Sequence, residues 1–374
     1  MSDWMSYEAQ LTEGYRRCAK LTWRYSTTYF WGAALLPKPQ RKHVHAICAL
    51  CRLADGIVDL PHDQHPSRLE SQKMRPEPFE GRERETSTSS AATSDGGIST
   101  EPNPTIPDPR SPEPVEGRGS GASTGSAHLL VSDRLNAFAE SFRSSLAAGD
   151  STDPVMAAVI HTVISCGIDP ECLDRFFSAR AMDLTTTSYE TWEDLCIYME
   201  GSAAVIGEMI LPLLEPISQT AMAPARSLGL AFQLTNFLRD VDEDLDRGRV
   251  YLPQDDLRIF DVDLERREAT PQWRAFMAYE IERNRALYSF ADTGIAMLPP
   301  RSARCVGTAR MLYAQILDQI ELNGYDVFSG RAQVPTWSKA ATAARMMVTG
   351  PRTLKKRAEA YQRRSMADVT QDTY

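Results

Sequence analysis

Apolar positions recur along this chain mostly at three- and four-residue spacing, the period of a helix that buries one face. Over 38–59 they are Val44, Ile47, Ala49, Leu50, Leu53, Ile57 and Val58, entered past Pro37 and Pro39 and closed by Pro61. Shorter helices are predicted over 129–147, 154–166 and 170–181, each bounded by Gly, Asp or Pro. A long apolar helix follows over 188–213, running from Tyr189-Glu190-Thr191-Trp192-Glu193-Asp194 to Pro212. Another spans 218–246 and ends at the Gly248 turn. Helices over 271–297 and 300–323 and a basic helical stretch over 336–364 complete the series. No run alternates with the period of two that a half-buried strand needs. The expected fold is therefore all-α.

One stretch breaks the pattern. From 66 to 126 the chain is rich in Ser, Pro, Gly, Thr and Glu and nearly free of aliphatic residues. Such a segment buries too little apolar surface to offset its ordering entropy, so it reads as a disordered insert. It partly repeats itself, with Arg-Pro-Glu-Pro-Phe-Glu-Gly-Arg at 75–82 and Ser-Pro-Glu-Pro-Val-Glu-Gly-Arg at 111–118. The expected organisation is one helical domain from 1–65 and 127–350, the 66–126 insert, and a basic tail over 351–374.

Composition narrows the function classes. With 374 residues, a net charge of −9 and a pI near 5.3, the chain lacks the overall basic footprint of a nucleic-acid binder. No stretch is read as reaching the roughly 20 apolar residues that span a bilayer. Met1 to Gln10 has neither a basic start nor a long apolar run, so no secretory or transit segment is read there. Seven cysteines, mostly within apolar stretches, point to reduced thiols in a cytosol. Cys48 and Cys51 form a C-x-x-C, but Cys166 and Cys172 do not supply a matching pair, so buried structural thiols are expected. His43 and His45, two apart, diverge on a helix and make no metal pair.

Two acidic clusters carry the candidate chemistry. Asp55 and Asp59 stand four apart and share a helix face, with Arg52 one turn earlier. Gln233, Asn236, Asp240 and Asp244 fall at i, i+3, i+7 and i+11, a single stripe down the 218–246 helix. Repelling carboxylates on otherwise apolar helices stabilise little by themselves, and a cation resolves the conflict. Hard oxygen ligands without nearby Cys or His fit Mg²⁺, with Mn²⁺ a substitute, and Mg²⁺ leaves room for substrate phosphates. Arg239, Arg247 and Arg249 are placed to meet phosphate oxygens.

The run Leu-Arg-Asp-Val-Asp-Glu-Asp-Leu-Asp-Arg-Gly-Arg-Val-Tyr-Leu-Pro at 238–253 resembles the squalene and phytoene synthase family, and within it the phytoene synthases most. The resemblance covers 1–64 and 128–345. It includes Ser26 to Tyr29, Leu35-Leu36-Pro37, Met182-Asp183-Leu184, Tyr198 to Gly207 and Tyr313 to Arg331. It implies an isoprenoid synthase fold around a central cavity. It also implies Mg²⁺-dependent head-to-head condensation of two prenyl diphosphates; for phytoene synthases these are two geranylgeranyl diphosphates, joined through prephytoene diphosphate. On that likeness Asp55, Asp59, Asp240 and Asp244 act through the metal, with Asn236 a further ligand. Arg52, Arg239, Arg249, Tyr251 and Arg331 hold diphosphate, and Ser26, Tyr29, Tyr198 and Gln233 line the site. Ala203, Ala204 and Gly207 serve close helix packing, room for a polyene tail, or both. Squalene, dehydrosqualene or presqualene diphosphate synthesis from farnesyl diphosphate is the alternative within the class, and a non-catalytic binding protein the alternative outside it.

Two positions depart from the family pattern. Gly56 stands where an acid usually follows the first Asp, and Cys48 where a tyrosine is common. The basic residues Lys355, Lys356, Arg357, Arg363 and Arg364 read either as a solvated helix tail or as contact with anionic lipid. The implied setting is the cytoplasm, at or near a membrane surface, with enzymes that consume a carotenoid precursor as partners.

Overall fold

The computed structural model describes residues 2–25, 32–59, 121–351, 354 and 356; for 2–6, 59 and 121–129 it describes the backbone alone. Among these residues thirteen named α-helices follow one another: α1 Ser2–Tyr25, α2 Lys38–Asp59, α3 Gly121–Ala148, α4 Pro154–Cys166, α5 Pro170–Met182, α6 Trp192–Met199, α7 Val205–Ile210, α8 Met222–Arg239, α9 Val241–Asp246, α10 Gln254–Ile259, α11 Pro271–Ile295, α12 Pro300–Leu322 and α13 Thr336–Thr349. Among the described residues the only β pairing is one parallel bridge, Ser188 to Val250. Residues 1–60 and 128–374 form one unit and 61–127 a second, of which only the backbone of 121–127 is described.

Local chemistry explains several boundaries. Asp153 caps α4 by accepting from the Met156 N–H, Pro154 fills the first turn, and Gly167 closes the helix at φ +63°. Thr191 and Asp194 form a reciprocal capping box at the start of α6. That box moves the start of the long apolar helix from the expected 188 to Trp192. The helix is also not continuous: Glu200–Ala204 is a π turn between α6 and α7. The expected 218–246 helix is likewise two. Asp240, at φ −103° and ψ 18°, ends α8 and precedes α9. The 336–364 helix is interrupted after Thr349 at Gly350, with Leu354 and Lys356 again helical and 352, 353, 355 and 357–364 outside the described residues, and α3 begins at Gly121, eight residues before the expected start. The sequence reading missed α1 and α10.

A further correction concerns membrane-spanning length. Trp192–Leu214, with a mean hydropathy of 1.4, is long and apolar enough to cross a membrane by composition. In the fold, 61% of its apolar window is buried within the protein. This segment packs as core, between α5 and α8.

Two groups of buried side chains flank a central cavity. One gathers α2, α4, α5 and α7 around Ile47, Leu50, Val159 and Phe176. The other gathers α6, α8, α11 and α12 around Leu234, Phe276, Tyr288 and Leu317. The π turn and α7 both meet α8 backbone to backbone: a Cβ on Gly229 would lie 2.3 Å from the Ala203 carbonyl oxygen, and one on Gly207 2.3 Å from that of Ala225. Gly229→Ala is therefore expected to cost about 1–3 kcal/mol through overpacking, visible as a lowered denaturation midpoint. An unchanged midpoint would show that the two backbones separate freely.

Burial also sets an acid limit. His45 is 4% exposed, and burial followed by the Arg41 charge holds its imidazole down at about 4. His43, beside Tyr15 and His161, is held down at about 4 by burial, then by Lys42 and His161. Both folded values lie below the ordinary 6.5, so unfolding takes up protons between pH 6.5 and 4. Stability is complete above about pH 6.5 and falls as pH drops towards 4, with His45 alone contributing on the order of 2–3 kcal/mol. Melting across that window checks this; a flat profile would refute it.

Candidate active site

The cavity, of about 750 Å³, has a charged end and an apolar body. Arg52 and Asp55 reach it from α2, and Gln233, Asn236, Arg239, Asp240 and Asp244 from α8 and α9. Tyr198, Arg249, Tyr251 and Arg331 complete the predicted residues on its wall. Ser26 and Tyr29 lie outside the described residues, as do Lys355, Arg357, Arg363, Arg364 and the insert up to 120; so does the side chain of Asp59. The apolar body includes Ile47, Phe176, Ile206, Leu228, Phe232 and Ile316, with Ala203 and Gly207 where bulk would narrow it.

The break at Asp240 does not scatter the acidic stripe. The Asp240 N–H still donates to the Asn236 carbonyl, and the Asp244 N–H to that of Asp240, both at 2.9 Å. Gly248, at φ +70°, then reverses the chain, and the Arg249 N–H returns to the Asp244 carbonyl at 2.8 Å. The Val250 N–H donates to the Thr187 carbonyl at 2.7 Å, fixing Tyr251 against the 185–190 segment. Tyr251 stacks on Phe237, with centroids 4.2 Å apart and planes 7° from parallel.

The two carboxylates of the second cluster are electrostatically unlike. Asp240 accepts from Arg239 Nε and Nη2 at 2.5 and 2.6 Å and from Arg331 Nε and Nη2 at 2.8 and 2.7 Å. Burial pushes its carboxyl up, but these two guanidiniums more than offset it and hold it below the ordinary carboxylate value. Asp244 is pushed up to about 7, by burial first and then by Asp240, against the opposing pull of Arg247 and Arg249.

The first cluster is tied to the rest by residues the sequence reading did not single out. Arg180, on α5, donates from Nη1 to Asp55 Oδ1 at 3.1 Å and from Nη2 to the Tyr198 hydroxyl at 2.8 Å. Its Nη1 also lies 3.2 Å from Asp183 Oδ2. Asp183 Oδ1 accepts from the Tyr251 hydroxyl at 3.1 Å, and the Asp183 carbonyl from Arg249 at 3.1 Å. One signal was available in the sequence: Arg180 interrupts the buried face of α5 formed by Phe176, Phe177 and Ala179. Arg52 lies with its guanidinium over the Tyr25 ring at 4.3 Å.

The donor set at the charged end is oxygen from Asp55, Asn236, Asp240 and Asp244. Among the described residues no three His, Cys, Asp or Glu side chains converge on one point as a closed metal site. The all-oxygen donor set fits a hard divalent cation, which commonly keeps substrate oxygens and water in its shell. The seven cysteines are free thiols. Burial raises the Cys48 thiol to about 12 and Cys51 well above its ordinary value, so both stay protonated.

An all-α shell around a cavity with an apolar body, closed at one end by carboxylates and arginines, suits a substrate with an anionic head and an apolar tail. The Squalene/phytoene synthase family model matches residues 22–91 and 105–338, and the chain belongs to that family. It is 30% identical over 351 residues to a phytoene synthase of Arthrospira platensis, covering 90% of this chain and 93% of that one. To a 15-cis-phytoene synthase of Synechococcus elongatus it is 31% identical over 346 residues, covering 88% and 91%. The fold matches a dehydrosqualene synthase solved with a ligand (TM-score 0.66, 20% identity, 91% of this chain and 98% of that). It also matches squalene synthase HpnC of Alicyclobacillus acidocaldarius (TM-score 0.61, 23% identity, 85% and 97%).

Proposed function

We propose that the chain is a Mg²⁺-dependent phytoene synthase that joins two geranylgeranyl diphosphates head to head, through prephytoene diphosphate, and releases diphosphate. The observation that supports this most is the cavity itself: a charged end that suits diphosphate, continuous with an apolar body that suits a polyene. Arg239, Arg249 and Arg331 hold the diphosphate oxygens there, with Arg52 and Tyr251 beside them. Asp55, Asp59, Asp240, Asp244 and Asn236 hold Mg²⁺, or Mn²⁺ in its place; when bound, the metal draws charge from the leaving group. Phe237, Tyr198 and Phe232 line the cavity in which an allylic cation would form, and aromatic rings favour nearby positive charge.

Incubation with geranylgeranyl diphosphate and Mg²⁺ tests this reading: phytoene and diphosphate are expected. Conversion of farnesyl diphosphate alone would instead support squalene, dehydrosqualene or presqualene diphosphate synthesis, which the likeness to squalene-type folds keeps as the second reading. Turnover of neither would support a binding protein.

The catalytic domain is read as 1–65 and 127–350. Deleting 67–120, which spares the first turns of α3, is expected to leave turnover largely intact; its loss would give the insert a role. The outward face of α13 supports peripheral contact with an anionic membrane from the cytoplasmic side. Trp337, Met347 and Val348 are 75%, 60% and 85% exposed, Thr336–Thr349 contains no acid, and basic residues follow. Such contact would pass an insoluble product to downstream carotenoid enzymes. Co-sedimentation with anionic but not neutral vesicles, weakened by Val348→Asp, is the expected result.

A further inference from the structure

Arg180 is where the two halves of the charged end meet, and its surroundings are unusual for an arginine. Its side chain is only 12% exposed. It faces the Phe176 and Tyr198 rings at 5.8 and 5.6 Å. Its Nη1 serves two carboxylates from different parts of the chain, Asp55 at 3.1 Å and Asp183 at 3.2 Å. The two acids are not equivalent. Asp183 is 3% exposed and its second oxygen is already taken by Tyr251. Asp55 is 33% exposed, lines the cavity and belongs to the first acidic cluster. Arg180 Nε is buried and has no hydrogen-bond partner among the described residues, so the guanidinium retains donor capacity.

We infer that Arg180 is a positioning residue that stands in for the metal at Asp55 and changes partner when metal and diphosphate arrive. The lone pair of Asp55 Oδ1 that accepts from Nη1 is one a divalent cation also needs, so the two compete for it. Losing Asp55 leaves Arg180 anchored by Asp183 and Tyr198, with a freed Nη1–H to donate to a diphosphate oxygen. Gly56 makes this stand-in more consequential: with no acid directly after Asp55, the cluster has less negative charge with which to win the metal. Asp240 shows the same arrangement, bracketed by Arg239 and Arg331. Each half of the site therefore keeps an arginine on a carboxylate that the metal needs.

This inference rests on the proposed metal-diphosphate site, but its test needs no prenyl substrate. Mn²⁺ alone serves as the probe, its free signal followed by electron paramagnetic resonance, with Asp55→Asn as the control that identifies Asp55-dependent uptake. Arg180→Met is expected to bind Mn²⁺ roughly tenfold more tightly, since both a competitor and a like charge are gone. Removing Arg180 alone leaves Asp183 buried without its cation, which threatens folding. The double variant Arg180→Met/Asp183→Asn avoids this: it removes opposite charges together and keeps an acceptor for Tyr251. Tighter Mn²⁺ binding in the double variant therefore reports the vacated Asp55 oxygen, an outcome that a merely structural role for Arg180 would not give. Inorganic pyrophosphate with Mn²⁺ should bind roughly tenfold more weakly to both variants, because a donor is lost. Mn²⁺ binding that is unchanged or weaker in both variants overturns the competition, and unchanged pyrophosphate binding overturns the change of partner. Failure to make phytoene with the Mn²⁺ result intact would count against the proposed reaction and leave this assignment standing.

Discussion

Asp240→Asn is expected to lower turnover by on the order of 10³-fold or more while the helical fold remains. The side chain keeps its shape but loses its charge, and that charge does two things in the site. It faces the cavity as a metal oxygen in the proposed reaction, and it draws the adjacent Arg239 together with Arg331, which lies 91 residues beyond Asp240. An amide oxygen offers weaker donation to a hard cation, and its NH₂ group repels one of the two guanidiniums. The loss should appear in kcat rather than in KM alone, because the leaving group's charge develops during reaction. Circular dichroism should remain helical, with stability lowered by about 1–3 kcal/mol for the weakened charge-assisted bonds. Wild-type turnover by this variant would remove Asp240 from the reaction.

The largest stability effect is expected at a buried ion pair outside the acidic clusters. Arg310 on α12 donates through Nε and Nη2 to both oxygens of Asp292 on α11, at 2.7 and 3.0 Å, with side chains 5% and 0% exposed. The guanidinium also lies over the Tyr288 ring at 4.7 Å. Asp292→Ala strands a buried cation and is expected to cost about 3–5 kcal/mol in denaturant unfolding. That is a large share of the roughly 5–15 kcal/mol that holds a domain folded. Replacing both partners, as in Asp292→Leu/Arg310→Met, should recover much of the loss, since no unpaired charge remains. A single variant with unchanged stability, or a double variant no better than the single, would contradict a paired buried charge.

Periodicity and punctuation made most of the fold legible. Helix α2 was expected and found over the same residues, 38–59, and α4 over 154–166, because Pro, Asp and Gly mark their ends chemically. Helix α1 was not read, although Leu11, Tyr15, Cys18 and Thr22 lie on one of its faces; no Pro or Gly marks where it starts. The acidic stripe was readable since four-residue spacing survives the break at Asp240 through the retained backbone hydrogen bonds. Arg180 was not, since its partner Asp55 lies 125 residues earlier and only the packing of α5 against α2 brings them together. The stand-off between Asp240 and Asp244 is likewise a property of burial, which spacing alone does not carry.

The π turn at Glu200–Ala204 holds one more residue per turn than an α-helix would, so it works as a phase shift in the middle of the cavity wall. Everything before it, Tyr198 included, and everything after it, Gly207 included, is oriented by that single extra residue. The same residues wound at 3.6 per turn would rotate α7 by about 100° against α6. Gly207 would then leave the Ala225 carbonyl, and a bulkier neighbour would take its place against α8. The shape available to a hydrocarbon tail is therefore set partly by a count of residues within one turn.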